Sequence, residues 1–227
     1  MALLSLLMLQ AQKADDIINR YITAVGGEEN CKKIMTINSE GYYLKKHEKM
    51  PFRVQGVHEK FERIEVTVKG KQVVKIITTA GSWTKSPLTA DTLHADTDKE
   101  YRNNADDLDL QGEFIDYKSK GSSIQYLGLY EEKKNRYYMI RLTTPHHNKK
   151  IYYFDEKTNL IYKVETVTTV NGIMANAVTK YLEYQIINGV KLPCKFQYTC
   201  DQGCYTIIVM DKQEINSPID ESIFKIK

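Results

Sequence analysis

The sequence predicts a mainly β protein whose strands form an antiparallel sheet. From Ile37 onward, apolar residues recur with a period of two, and Tyr, Val, Ile and Thr are enriched. Asn-Gly pairs at 171–172 and 188–189 are strong signals for two-residue turns, which join antiparallel strands. No helical pattern of about 10 to 15 residues interrupts the strands after Gly121, so parallel strand–helix–strand units are not expected.

Length and composition indicate one globular domain over residues 13–227. The chain has 227 residues, 42% of them hydrophobic and 27% charged, with 12 glycines and 5 prolines. Those proportions are typical of a folded protein, and one all-β domain can have this length. The net charge of +3 is spread without a long basic block. We therefore expect no nucleic-acid partner.

Residues 1–12 predict an export signal. The apolar run Ala2–Leu9 has the length of the hydrophobic part of a signal peptide and is too short to cross a bilayer. Two features depart from a complete signal peptide: no Lys or Arg precedes the run, and no clean cleavage site follows it. The alternative is an apolar first helix packed on the core. No Cys follows the run to carry a lipid, so we expect an exported, soluble protein.

Two helices are predicted before the strands. Between Ala14 and Val25 the apolar residues fall on one helical face, and Gly26-Gly27 ends the pattern. A second, short helix is predicted at about Glu28–Met35. The segment from Trp83 to Gly121 is polar and rich in turn residues, so we expect short helices or a loop that covers one mouth of the sheet.

The strands have one apolar face and one polar face. Alternation is clearest from Val190 to Cys200, and Leu160, Tyr162, Val164 and Thr166 show the same phase. Such a sheet must curl, stack on a second sheet or accept a lid, and each solution can leave a cavity. We predict that the cavity is lined by Ile18, Tyr21, Ile22, Trp83, Leu160, Tyr162, Val164, Leu192, Phe196 and Tyr198.

The four cysteines predict structural thiols or disulfides. Cys200 and Cys204 bracket a three-residue turn that contains Gly203, so a hairpin disulfide is feasible. If the strand pairing continues, Cys194 faces Met210, and Cys194 with Cys31 is the other candidate pair. Zinc is the alternative, but these spacings match no standard site.

The sequence contains no motif that demands an enzyme or a cofactor. His146 and His147 lie in a turn beside Pro145, and neighbouring side chains on an extended chain point to opposite sides. The acidic run Asp106–Asp109 lacks the ligand spacing of a calcium loop, and we interpret it as a charged helix face. No nucleophile with a matching base can be named, so we predict a protein without catalytic residues.

Several stretches occur in an order and spacing that is similar to one known family. They are residues 14–27 followed by 34–41, 152–161, 181–184 followed by 188–193, and 219–224. Together they resemble the LolA-like, outer-membrane lipoprotein-sorting family, especially its Bacteroidetes-type relatives. The resemblance implies a strongly curved antiparallel half-barrel of the LolA/LolB type. It also implies that an N-terminal helix and short helices cover the concave face.

The resemblance implies a periplasmic carrier or chaperone. Its expected partners are acyl chains of lipoproteins or lipids, and a membrane-bound donor or acceptor protein; we expect a monomer. Each buried CH₂ of an acyl chain contributes about 0.8 kcal/mol, so a carrier needs a deep apolar cavity. The alternative is a non-catalytic envelope-assembly protein that acts through its surface. A hydrolase or isomerase would require two titratable groups that converge in the cavity with opposed pKa shifts.

Overall fold

Thirteen strands and three α-helices make up the described part of the chain. The structure is a computed structural model and describes residues 2–88, 90–170 and 173–225; the predicted turn at Asn171-Gly172 lies outside these residues. The helices are α1 (Ala2–Ala24), α2 (Glu28–Lys32) and α3 (Asp98–Ala105), with 3-10 turns at Asp106–Leu108 and Glu221–Phe224. The strands are β1 (Thr36–Lys45), β2 (Glu48–Val57), β3 (Phe61–Val68), β4 (Lys71–Thr78), β5 (Gly81–Ser86), β6 (Ala90–Ala95), β7 (Ser123–Glu132), β8 (Asn135–Thr143), β9 (Lys149–Asp155), β10 (Ile161–Val170), β11 (Ile173–Ile187), β12 (Val190–Cys200) and β13 (Tyr205–Ile215).

The strands form one antiparallel, curved sheet that does not close. Its order is β6-β5-β4-β3-β2-β1-β13-β12-β11-β10-β9-β8-β7, and the only step between strands not adjacent in sequence is β1 to β13. Within the described residues, β6 and β7 form the two edges and do not pair with each other. The predicted fold class, a curved and mainly β sheet with few helices, is confirmed.

The helices and the long segment before β7 cover one face of the sheet, which we call the inner face. Ile17 and Ile18 of α1 are buried there against Ile140, Phe154 and other residues of β8 to β10. A second cluster joins Val25, Cys31 and Ile34 to Val190 and Ile215. The inner face therefore carries the core, and the opposite, outer face is more accessible.

The predicted turn at Asn188-Gly189, and a second turn at Lys69-Gly70, have the backbone geometry of two-residue hairpins. Lys69 and Gly70 have φ of 50° and 74°, and Asn188 and Gly189 have φ of 49° and 82°. Positive φ at both central positions is the requirement of a type I′ turn. The turn at Asn188-Gly189 joins β11 to β12, two strands that contribute to the cavity described below.

Gly26 allows α1 to end directly against this turn. Its φ is 122°, and a Cβ there would lie 2.2 Å from the carbonyl oxygen of Gly189. Only glycine fits both the backbone conformation and this contact. The amide of Lys191 donates a hydrogen bond of 2.7 Å to the carbonyl of Val25, which fixes the end of the helix to β12.

The first helix is longer, and the second shorter, than the sequence predicted. α1 begins at Ala2 rather than Ala14, because the apolar run before it also favours helix. α2 ends at Lys32 instead of reaching Met35, which pairs through its amide with the side chain of Asn216 at 2.8 Å. The 83–121 segment contains α3 and one 3-10 turn, as predicted, and also completes β5 and adds β6.

The structure joins Cys200 and Cys204 in a disulfide across the β12–β13 turn, with a Cα–Cα distance of 4.8 Å. Cys31 and Cys194 are both free thiols, so the second candidate pair is wrong. Cys31 is buried under the helices at the base of the cavity, whereas Cys194 lies on β12.

A double Cys200→Ser, Cys204→Ser variant is expected to lose about 2 kcal/mol of folding free energy, because the disulfide closes only a short loop in the unfolded chain. Urea unfolding of both proteins measures this loss. A loss above about 4 kcal/mol would mean that the disulfide constrains more than its own turn.

Candidate functional site

A cavity of about 460 Å³ lies between the inner face of the sheet and the elements that cover it, and we call it the central cavity. It is lined from α1 and α2 by Tyr21 and Cys31; from the strands by Ile37, Glu62, Lys150, Tyr152, Ile161, Val164, Thr166, Tyr181, Tyr184, Val190, Lys191, Leu192 and Pro193; and from the connecting segments by Val25, Ile34, Asp106, Asp107, Asp109, Leu110, Gln111, Gly112, Glu113 and Phe114. Ligand pockets commonly have volumes of about 300–1,000 Å³.

One part of the central cavity is apolar. Val25, Ile34, Val190 and Leu192 line it and belong to the same cluster of packed side chains, together with Ile37. Val25, Ile34 and Val190 are buried, whereas Leu192 keeps part of its surface open. An apolar chain placed here would contact aliphatic side chains from the segments that follow α1 and α2 and from the sheet.

Aromatic side chains form the wall beside this apolar part. The ring of Tyr21 lies edge-on to Phe114 at 5.7 Å and to Phe154 at 5.2 Å. Phe114 in turn lies edge-on to Tyr152 at 4.9 Å, measured between ring centroids. Edge-to-face contacts of this kind fix ring orientation, so the wall joins α1 to β9 through the 109–121 segment.

Burial keeps the tyrosine hydroxyls of this wall protonated. It raises the pKa of Tyr21, Tyr152, Tyr181 and Tyr184 well above the ordinary value, and nearby groups such as Glu113 raise the pKa of Tyr152 further. The Tyr152 hydroxyl donates a hydrogen bond to Glu113, and the Tyr184 hydroxyl donates one of 2.7 Å to the carbonyl of Ile161. These hydroxyls therefore act as hydrogen-bond donors within an otherwise apolar wall.

The other end of the central cavity is acidic. Glu62 from β3 lies there with Asp106, Asp107, Asp109 and Glu113, which belong to residues 106–121 before β7; we call these residues the covering segment. Burial, reinforced by Asp107, raises the pKa of Glu62 well above the ordinary value. Burial likewise raises the pKa of Asp107 to about 6.

Lysines neutralise three of these carboxylates. Lys150 contacts Asp106 at 3.3 Å and forms an ion pair with Glu113, and Lys120 contacts Asp109 at 2.7 Å. Burial opposes the charge on Lys150, but Glu113 and Asp106 raise its pKa overall. Glu62 and Asp107 have no such partner within 4.0 Å among the described residues.

The covering segment is attached to the helices by polar contacts. Gln111 donates to the carbonyl of Lys32 at 2.9 Å, and Lys32 forms an ion pair of 2.7 Å with Asp116. The Tyr117 hydroxyl donates to Asp15 of α1. These polar contacts lie near the surface and are individually weak, and they add to the packing of the buried side chains Phe114 and Ile115.

Three of the predicted lining residues, Tyr21, Val164 and Leu192, border the central cavity. Ile18 and Ile22 pack in the core beneath α1, and Leu160 packs against the second cluster. Phe196 and Tyr198 lie on the inner face beyond the lining residues, where they pair with Tyr181 and Thr179. The Phe196 ring contacts that of Tyr181 at 5.1 Å.

Tyr162 and Trp83 instead lie on the outer face. The β10 strand has a bulge between Ile161 and Lys163, so strict alternation ends there and Tyr162 stacks on Tyr137 at 4.4 Å. Trp83 pairs with Ile76, one position away from the Ile77–Ser82 pair on the inner face. Successive side chains of a strand point to opposite faces, so Trp83 cannot reach the cavity.

The residues of the acidic end were not predicted. On β3, the side chains of Glu62, Ile64 and Val66 all point to the inner face. One carboxylate among apolar residues on that face was the only sign in the sequence that Glu62 has a special role. The Asp106–Asp109 run is a solvated face only in part: its 3-10 turn, Asp106–Leu108, leaves Asp107 exposed, whereas the side chain of Asp106 is 5% exposed and borders the cavity. Within the described residues, no group of three or more His, Cys, Asp or Glu is arranged to hold a metal ion.

No protein-family model matches the chain, and no curated protein matches it in sequence. Among solved structures, a LolA superfamily protein from Nitrosomonas europaea is similar, with a TM-score of 0.61 and 12% identity over 95% of this chain and 97% of that one. A DUF1329 family protein from Desulfovibrio piger gives 0.61 and 11% identity, over 93% and 97%.

An outer membrane lipoprotein-sorting protein domain from Vibrio parahaemolyticus gives a TM-score of 0.59 and 13% identity, over 94% of this chain and 97% of that one. These likenesses confirm at the level of the fold the resemblance that the sequence motifs indicated. In the described residues, no helix is long and apolar enough to cross a membrane.

Proposed function

We propose that the protein carries an acyl-bearing lipid or lipoprotein in its central cavity, in the bacterial periplasm. The observation that carries this proposal is the cavity itself, which lies on the inner face between a continuous sheet and separately attached covering elements. Its aliphatic part suits an acyl chain, because each CH₂ removed from water contributes about 0.8 kcal/mol.

Two further observations support the carrier function. The fold is that of solved structures described as LolA superfamily and lipoprotein-sorting proteins. The Cys200–Cys204 disulfide is consistent with an oxidising compartment such as the periplasm. Three of the ten residues first predicted to line the cavity, Tyr21, Val164 and Leu192, are retained as cargo contacts in this proposal.

Native mass spectrometry of the protein purified from a bacterial envelope tests the proposal, followed by lipid analysis after denaturing extraction. A stoichiometric acyl-bearing species is the expected result. The contrary result is a mass without cargo, together with no gain in thermal stability when phospholipids or a lipidated peptide are added.

The Leu192→Gln variant is expected to bind an acyl probe about tenfold more weakly, because it replaces an aliphatic contact worth about 1.5 kcal/mol by a polar group. Displacement of a fluorescent apolar dye by dodecanol measures this affinity. Leu182→Gln is the matched control, since Leu182 lies on the adjacent strand and is 43% exposed. Equal losses in the two variants would argue against the central cavity as the binding site.

The envelope-assembly alternative rests on a different feature, the end of the β10–β11 hairpin. Val167, Ile173 and Met174 are 54%, 59% and 67% exposed there. Exposed apolar side chains at one place can bind a partner protein. Isolation of the cargo-free protein in a stable complex with another envelope protein would favour this alternative over the carrier.

A further inference from the structure

The acidic end of the central cavity contains a carboxylate without a partner. Glu62 is 8% exposed, and its Oε2 atom makes no hydrogen bond within the described residues. The side chain borders the central cavity, so a ligand in that space can approach the carboxyl group. A buried oxygen with no donor is costly, which makes Glu62 a position where a ligand donor would be stabilised.

Asp107 provides a second carboxylate at the same end. Its side chain is exposed and borders the cavity. It makes no ion pair or hydrogen bond within the described residues. Repulsion between Glu62 and Asp107 raises the pKa of Glu62, in addition to the larger effect of burial. Two carboxylates thus act on the same small space.

The surrounding cations do not neutralise this pair. Lys75 lowers the pKa of both carboxylates, but it is held at 3.4 Å by Asp96. Lys150 also acts on Asp107, and it is already engaged by Asp106 and Glu113. An additional positive charge from a ligand would therefore meet two carboxylates that the protein leaves uncompensated.

The aromatic wall also suits a cation. Tyr21, Tyr152, Tyr181 and Tyr184 line the same cavity as the carboxylates and the aliphatic side chains. The face of an aromatic ring attracts a cation, and this attraction strengthens when water is excluded. A protonated amine is therefore favoured over an anionic headgroup, which the carboxylates would repel.

We propose that the cargo is an amphiphile with a protonated amine next to its acyl chain, and that Glu62 and Asp107 bind this amine while the apolar part binds the chain. This inference rests on the carrier function proposed above and names the chemical class of its cargo. The amine fills the place of the missing hydrogen-bond donor at Glu62 and balances the charge of the acidic end.

Three probes with the same chain test this inference separately from the carrier function. They are dodecylamine, dodecanol and dodecanoate, each used to displace the neutral dye N-phenyl-1-naphthylamine from the intact protein at about pH 7.5. We expect dodecylamine to bind about tenfold more tightly than dodecanol, with dodecanoate the weakest. Equal binding of all three overturns the inference and leaves the carrier function standing. Binding of none overturns both.

Two variants assign the preference to the acidic end. Glu62→Gln keeps the size of the side chain and removes its charge, so it should lower dodecylamine affinity about tenfold and leave dodecanol within about twofold. Asp107→Asn should act in the same direction. Glu65→Gln makes the same change on the outer face of β3, where Glu65 pairs with Arg63 at 2.6 Å, and should leave the preference intact. Retained amine preference in both Glu62→Gln and Asp107→Asn overturns the inference.

The amine can belong to a lipid headgroup or to the free N-terminus of a lipidated peptide. A diacylated peptide with a free α-amine, its N-acetylated counterpart and a lipid with an aminoacyl headgroup distinguish these sources in the same displacement measurement. Tighter binding of the free-amine peptide than of the acetylated one points to a lipidated protein, and tighter binding of the aminoacyl lipid points to a membrane lipid. No advantage for either amine contradicts the inference.

Discussion

At about pH 8 the Glu62→Gln variant should be more stable than the wild-type protein by about 1–3 kcal/mol, because a neutral amide replaces a carboxyl group whose ionisation is opposed by burial. Burial raises the pKa of Glu62 in the folded protein, so the folded state holds a proton that the unfolded chain releases. The wild-type protein therefore has its full stability below pH 4.5, the ordinary pKa of the carboxyl group, and loses stability as the pH rises toward the raised pKa of Glu62 in the folded protein. The gain of the variant should therefore vanish at about pH 4.

Several charged groups face Glu62 and shape this pH dependence. Asp107 on the covering segment raises its pKa and Lys75 on β4 lowers it, whereas Tyr43 on β1 is itself affected by Glu62. Burial raises the pKa of Asp107 to about 6, so the gain in stability of Asp107→Asn should develop between about pH 4 and 6 and persist above that range.

Urea unfolding at both pH values measures these effects, with Glu65→Gln as the control. That variant loses a partly exposed ion pair with Arg63, so its change should be a loss of at most about 1 kcal/mol, opposite in sign to Glu62→Gln. An equal gain for Glu62→Gln at both pH values would show that its carboxylate is not the cause. The protein is thus predicted to keep a destabilising pair of carboxylates, as functional sites often do.

Local sequence patterns were sufficient for the sheet but not for the details of its inner face. The turn at Asn188-Gly189 requires positive φ, and its residues predict that conformation without knowledge of the rest of the chain. The face of Tyr162 depends on the bulge after Ile161, which nothing in the alternating pattern of β10 indicates. The face of Trp83 depends on the register of β4 with β5.

The acidic end depends on contacts between distant parts of the chain. Glu62 and Asp107 lie on a strand and a 3-10 turn separated by three strands and a helix in the sequence. Composition places Asp106–Asp109 at the surface by default, because charged residues are mostly exposed. Only the packing of the covering segment onto the inner face places the partly buried Asp106 and Asp109, together with the exposed Asp107, beside the cavity. The acyl-binding part was easier to predict, because aliphatic residues mark it in the strand pattern.

The Phe154→Ala variant should lose about 3–5 kcal/mol of folding free energy, because it leaves a cavity where a large side chain is completely packed. Phe154 is 1% exposed and its ring contacts Tyr21 at 5.2 Å and Phe114 at 5.4 Å. Phe154→Leu fills much of the same volume and should cost less. Tyr205→Ala is the control, since Tyr205 is 52% exposed on β13 and its change should stay within about 0.5 kcal/mol.

The same substitution tests whether the aromatic wall holds the binding site in shape. Tyr21 and Phe114 border the central cavity, and both rest on Phe154. Under conditions where Phe154→Leu remains folded, its affinity for dodecanol should fall, because Tyr21 loses the ring that orients it. Unchanged affinity with reduced stability would mean that α1 and the covering segment hold Tyr21 in place without Phe154. The cavity would then be formed by its cover more than by the sheet.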